Sequence, residues 1–256
     1  MKFLRLTLLA TALLAAGLVR ANDDYTFRAP FSETHPFHAN GEVTLENVNG
    51  SVEILTWDKN EVKIEGEKSA KTEEELKLIE LTIDAAPTSL AIKTHLPKRT
   101  DGRFGRDTIR AAVKFVVTVP ATARLAKIDT VNSRVTITGV RGPVNASTVN
   151  GGITARGLGA NTQLHTVNGS IKAEFATLGR EQEISVGTVN GSTTVSLPKD
   201  AAFELEGRSV NGSVSCAFPV RLEGRTRRTR ISGTVGAGGA LLKASTVNGS
   251  IHITEL

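Results

Sequence analysis

Cysteine is all but missing: Cys216 is the only one in 256 residues. No internal disulfide framework is available. Within Ser213-Val214-Ser215-Cys216-Ala217 it reads as a small buried apolar residue, because no base stands beside it to make it a nucleophile. Aromatic residues make up 4% of the chain, so the core has to come from Val, Ile, Leu and Ala. Beyond residue 19 no apolar run approaches the roughly 20 residues of a membrane-spanning helix. A surplus of one charge is missing as well. The formal +5 includes Lys2, Arg5 and Arg20; without the first 21 residues, 28 basic side chains face 26 acidic ones, a net of +2. That balance excludes a general polyanion binder and makes nucleic acid a poor partner.

The first residues set the compartment. Lys2 and Arg5 precede an apolar run from Leu6 to Val19, and Val19-Arg20-Ala21 ends in a small residue before the polar Asn22-Asp23-Asp24. This is the pattern of a secretory signal peptide cleaved after Ala21. The run is too short for an anchor. The expected product is a free, exported chain, in the periplasm, on the cell surface or secreted.

One tetrapeptide organises the rest. Val-Asn-Gly-Ser, or a close variant, recurs at Asn49-Gly50, Asn150-Gly151, Asn168-Gly169, Asn190-Gly191, Asn211-Gly212 and Asn248-Gly249, with a degenerate copy at Asn132-Ser133-Arg134. A Thr or Ser precedes the Val in all but the first. From Asn132 onward the gaps are 18, 18, 22, 21 and 37 residues. The last gap suggests two periods, or one repeat with an insertion. Self-similarity at about 20 residues marks a stacked array, because one such unit cannot bury its apolar face alone.

Each unit holds two strand-like pieces, such as Val144 to Val149 and Ile153 to Ala155. Asn-Gly breaks a strand, since Gly accepts positive φ and Asn tolerates it. It suits either a hairpin turn or the corner of a coil. The constant short period favours the coil. The expected fold is therefore all-β: a parallel β-solenoid of about 18–22-residue coils spanning 121–256, with equivalent asparagines bonded in a ladder. Residues 22–120 form a β-rich region continuous with it, which caps the stack. Strands are expected near Val43–Leu45, Val52–Trp57, Val62–Glu67, Leu81–Asp84, Leu90–Thr94 and Val113–Val119. Thr72 and Glu75 form a capping box that opens one short helix, and Lys98 to Asp107 is a polar loop.

Candidate chemical sites are few. His35 and His38 form a His-x-x-His pair with only Glu33 close by, which is thin for a metal. His95, His165 and His252 are scattered among strands. Calcium-built β-rolls need regular aspartates, and here the repeated polar residue is asparagine. Neither a metal nor any other cofactor is expected. Glu204 and Glu206 share a strand face but lack the supporting groups of a polysaccharide-cleaving site. Two basic clusters stand out: Lys98, Arg99, Arg103 and Arg106; and Arg225, Arg227, Arg228 and Arg230. The Arg-Thr alternation of the second would place arginines on one strand face, where they could meet anionic polymers.

Three stretches carry a family likeness: Val43-Thr44-Leu45-Glu46-Asn47-Val48-Asn49-Gly50-Ser51-Val52 with Trp57-Asp58, the Thr-Val-Asn-Gly-Ser series, and Gly236-Ala237-Gly238-Gly239 before the last copy. Together they resemble the putative-adhesin family of exported bacterial β-repeat proteins, a domain of unknown function. The likeness covers roughly residues 35 to 254. It implies a β-solenoid and a surface or envelope role, and it supplies no catalytic residues. The expected function is thus a non-catalytic, adhesin-like binding scaffold, with glycans, envelope polymers or a protein as partner. A self-assembling or regulatory envelope protein is the alternative, pairing through an open solenoid end near Leu256.

Overall fold

In the computed structural model, residues 25–96, 110–223 and 227–256 are described. The expected signal peptide, the Lys98–Asp107 loop with its basic cluster, and Arg225 lie outside them. The first half holds β1 (Phe27–Pro36), β2 (Glu42–Asn49), β3 (Val52–Trp57), β4 (Glu61–Ala70), α1 (Glu73–Lys77), β5 (Glu80–Ala86), β6 (Ser89–His95) and β7 (Ala111–Pro120). Strand pairs follow: β8 (Arg124–Asn132) with β9 (Val135–Thr138), β10 (Val144–Asn150) with β11 (Ile153–Leu158), and β12 (Thr162–Asn168) with β13 (Ile171–Phe175). β14 (Glu183–Asn190) then precedes β15 (Thr193–Leu197), and β16 (Phe203–Asn211) precedes β17 (Val214–Cys216). The chain ends with β18 (Val220–Leu222), β19 (Arg230–Val235), β20 (Ala240–Asn248) and β21 (Ile251–Glu255).

The molecule is all-β apart from α1, whose Thr72 cap accepts from the Glu75 amide at 3.1 Å. Two mixed sheets enclose one core. The two strands flanking each Asn-Gly lie in opposite sheets, so the motif is a corner between sheets and not a hairpin turn. Within the repeat region neighbouring strands run parallel, while antiparallel strands finish both sheets at the first end and the second sheet at the other. The first sheet runs β1-β4-β7-β3-β9-β11-β13-β15-β21-β17 and the second β18-β19-β16-β20-β14-β12-β10-β8-β2-β6-β5.

That order corrects the expected stacking in two places. The first Asn-Gly unit belongs inside the stack: β2 pairs with β8 and β3 with β9. The last unit does not end it. β20 lies between β14 and β16, and β21 between β15 and β17. The 37-residue gap is therefore one repeat with an insertion, and not two periods. It holds β18 and β19, which cover β16, and a turn through Gly236, Gly238 and Gly239, all at positive φ, that sends the chain back into a slot. The sheet edge at this end is β17, not the strand preceding Leu256.

Strict alternation builds the core. In β10, β12, β14 and β20 every second residue up to the Thr of the motif is buried, with Gly187 of β14 buried as well. Each inward Val, Ile or Leu contributes about 2 kcal/mol by leaving water. The scarce aromatics concentrate near the ends: Phe31 meets Phe115 edge-on at 5.8 Å, and Phe203 meets Phe218 at 5.3 Å. Several inward positions are polar, and Thr193 is one whose hydroxyl is left unpaired. It sits in register with Ile171 and Ile251 and is fully buried. Thr193→Val is expected to stabilise the protein by about 1 kcal/mol, because it removes an unpaired buried hydroxyl at nearly constant shape. Urea unfolding of the two proteins checks this.

Candidate functional site

The corners form one continuous column. Asn132 Nδ2 donates to Asn49 Oδ1 at 2.9 Å, and Asn150 to Asn132 and Asn168 to Asn150 do so at the same distance. Asn190 donates to Asn168 at 2.8 Å, Asn248 to Asn190 at 2.7 Å and Asn211 to Asn248 at 2.8 Å. Asn49 Nδ2 ends the column on the Ala111 carbonyl at 3.0 Å. The degenerate Asn132 copy keeps its rung, so Ser133 does not interrupt the ladder.

In five units the hydroxyl before the Val has a matching task, while the buried Thr130 hydroxyl has no partner. Thr166 Oγ1 donates to the Gly151 carbonyl and Thr188 Oγ1 to the Gly169 carbonyl, both at 2.8 Å, and Thr246 Oγ1 to the Gly191 carbonyl at 3.0 Å. Ser209 reaches the Gly249 carbonyl at 2.9 Å. In the first unit Asn47 replaces the hydroxyl, and its amide bonds the Val113 carbonyl at 2.9 Å. The glycines are needed for closeness more than for φ. Of the corner glycines only Gly50, Gly191 and Gly249 have positive φ. A Cβ on Gly169, Gly191 or Gly249 would collide with the backbone carbonyl of Gly151, Gly169 or Gly191 respectively. The corner residues thus spend their polar groups on one another, and the column is architecture.

Surface chemistry lies elsewhere. On the outer face of the second sheet, Asn145, Gln163, Ser185 and Lys243 occupy one register row across β10, β12, β14 and β20. With Arg124 and Glu183 they line a shallow groove of about 450 Å³. Adjacent strands place one polar side chain every ~4.8 Å along it. The neighbouring rows of this face are tied by charge. Lys127 approaches Glu46 at 2.6 Å and Asp129 at 3.5 Å, Lys93 approaches Glu46 at 3.1 Å, and Ser147 donates to Asp129 at 2.6 Å. Hydrogen bonding from Lys127, then Lys93, holds the Glu46 carboxyl below the usual carboxylate range.

A second depression, of about 600 Å³, lies over β16 and β19. Arg227 and Arg230 line it, joined by Arg208, which sequence reasoning missed. The expected strand face of alternating arginines is not formed. Arg227 to Arg230 make a tight turn, and exposed Arg228 does not line the depression. Arg208 was hidden because it lies far from the cluster in sequence and meets it only through antiparallel pairing of β16 with β19.

The remaining candidates stay apart. His35 contacts Glu33 at 3.1 Å on β1, and His252 contacts Ser215 at 2.9 Å. No group of three or more His, Cys, Asp or Glu that could hold a metal occurs among the described residues. Glu204 and Glu206 are exposed on β16, opposite Thr234 and Ser232. Cys216 is half-buried on β17, and burial pushes its thiol pKa up, which makes it a poorer nucleophile. No helix among the described residues is long and apolar enough to cross a membrane.

Solved structures resemble this chain at low identity. A "putative cell adhesion protein" from Clostridium sporogenes is 12% identical with a TM-score of 0.49, over 89% of this chain and 100% of that one. A "putative adhesin" from Bacteroides fragilis is 9% identical with a TM-score of 0.35, over 88% and 97%. A "putative lipid binding protein" from Parabacteroides distasonis is 13% identical with a TM-score of 0.31, over 89% and 96%. No curated protein matches. The family model of the Toastrack DUF4097 domain matches residues 38–254, nearly the whole of the chain that carries the two sheets, and the chain belongs to that family.

Proposed function

We propose that the protein is a non-catalytic, exported binding scaffold of the cell envelope, adhesin-like in role, which holds an extended hydroxyl-rich polymer along the groove over β10, β12, β14 and β20. In this reading the paired sheets are a flattened β-solenoid, capped by antiparallel strands except at the β17 edge of the first sheet. The observation that carries the proposal is the in-register row Asn145, Gln163, Ser185 and Lys243. Amides and a hydroxyl repeated along the stack axis offer donors and acceptors to a chain of sugars, and a repeat array presents them as one long surface. The Asn and Thr bonds at the corners fix the spacing of the row, so little ordering is left to oppose binding. Glu204 and Glu206 have no catalytic part in this account.

Binding of the purified exported protein to a panel of glycans and envelope polymers, at low and moderate salt, tests the proposal. It expects saturable binding to a few members that survives moderate salt, since amide and hydroxyl contacts are not screened as charges are. Failure to bind any member rejects it. Size that grows with protein concentration would then favour self-association, for which the open edge β17 is available.

A further inference from the structure

The far end of the stack carries a chemically different surface. β16 and β19 pair antiparallel, and Arg208 stands directly opposite Arg230. Arg227 is fixed beside them: its amide donates to the Arg230 carbonyl at 3.1 Å, and the Arg230 amide donates back to the Arg227 carbonyl at 3.0 Å. The three arginines line the depression of about 600 Å³ together with Thr229, Ser232 and Glu223. None of the three guanidinium groups makes an ion pair with the described residues. Glu223, the one carboxylate among the lining residues, accepts from Thr234 Oγ1 at 3.4 Å instead.

Like charges directly opposed across an antiparallel pair repel. Among the described residues no carboxylate pairs with either arginine to offset that repulsion, whereas a bound anion would. The charge balance indicates which anion. Three guanidinium groups against one carboxylate leave a net of about +2, which a phosphate monoester at neutral pH matches with its −1.5 to −2. A carboxylate brings one charge and two oxygens, enough for a single arginine fork. A phosphate brings three oxygens or more, sufficient for several guanidinium forks and for the hydroxyls of Thr229 and Ser232.

We propose that the cleft between Arg208, Arg227 and Arg230 is a phosphate-binding site, for the free ion or for a phosphomonoester carried on a larger envelope molecule. The site is separate from the polar groove and stands or falls without it. Calorimetric titration of the purified protein at constant ionic strength tests it, with inorganic phosphate, glucose 6-phosphate and acetate as probes. Phosphate is expected to bind and acetate not. Binding of glucose 6-phosphate as well assigns the site to a group borne on a larger molecule, and its exclusion assigns it to the free ion. Arg208→Gln with Arg230→Gln should weaken phosphate binding by roughly tenfold or more, whereas Arg228→Gln, outside the cleft, should leave it unchanged. Without phosphate the double variant should melt no lower than the parent, because the repelling pair is gone; this separates loss of the site from loss of the fold. Equal binding of acetate and phosphate, undiminished binding by the double variant, or equal weakening by Arg228→Gln overturns the proposal.

Discussion

Gly169→Ala is expected to destabilise the protein by about 3 kcal/mol or more, a large effect for one methyl group. The added Cβ would run into the Gly151 carbonyl, a backbone atom of the adjacent corner. That carbonyl cannot retreat freely. It accepts from Thr166 Oγ1 at 2.8 Å, while the Gly151 amide donates to the Asn168 carbonyl at 3.0 Å. Opening the corner would also stretch the rung from Asn168 to Asn150. Gly159→Ala is the control. Its Cβ would meet neighbours no closer than 3.5 Å at an ordinary φ, so the change should stay within about 0.5 kcal/mol. Urea unfolding of the two variants compares the positions directly. Equal costs would mean that close backbone approach at the corners does not govern stability.

Deleting Ala240–Leu256 is expected to unfold more than the deleted segment. Were the units stacked in chain order, removing the last would shorten the array by one layer and leave the rest paired. In the observed order it empties a slot inside the stack. β16 loses its parallel partner β20, and β17 loses β21. β18 and β19 are attached to the body through β16, so residues 203–235 should come loose together. Hydrogen exchange reads this out: amides of β16 and β19 should lose protection, while those of β10 and β12 keep theirs. Retained protection in β16 would show that it closes onto β14 without the intervening pair, and that the out-of-order unit is dispensable.

These two cases also mark where the sequence is legible. The corner ladder could be read because the same Asn recurs at a near-constant interval, and stacked strands bring identical residues together. The Thr72–Glu75 cap and most strands of the first half were legible from local chemistry, the cap because its two partners are close in sequence and the strands because apolar and polar residues alternate along them. The order of the last layers was not. Asn190, Asn211 and Asn248 sit in nearly identical motifs, so nothing in the motif states which meets which. The deciding residues are Gly236, Gly238 and Gly239, which turn the chain back, and the apolar faces of β16 and β20 that pair once it has turned. The arginine cleft was half legible. Arg227 and Arg230 announce themselves as neighbours, but Arg208 joins them only through an antiparallel register set by the fold. The groove left no local signature at all, because Asn145, Gln163, Ser185 and Lys243 are unremarkable until four strands place them in one row.

The most direct test of the binding-scaffold account is a titration of the best polymer from the panel into the parent protein and into a variant carrying Asn145→Ala with Gln163→Ala. Both side chains point outward, so the variant should melt within a few degrees of the parent. The account predicts an affinity roughly tenfold lower for the variant, from two lost hydrogen-bonding groups in the middle of the row. Equal affinity of the two proteins would contradict it and place any bound polymer away from the groove.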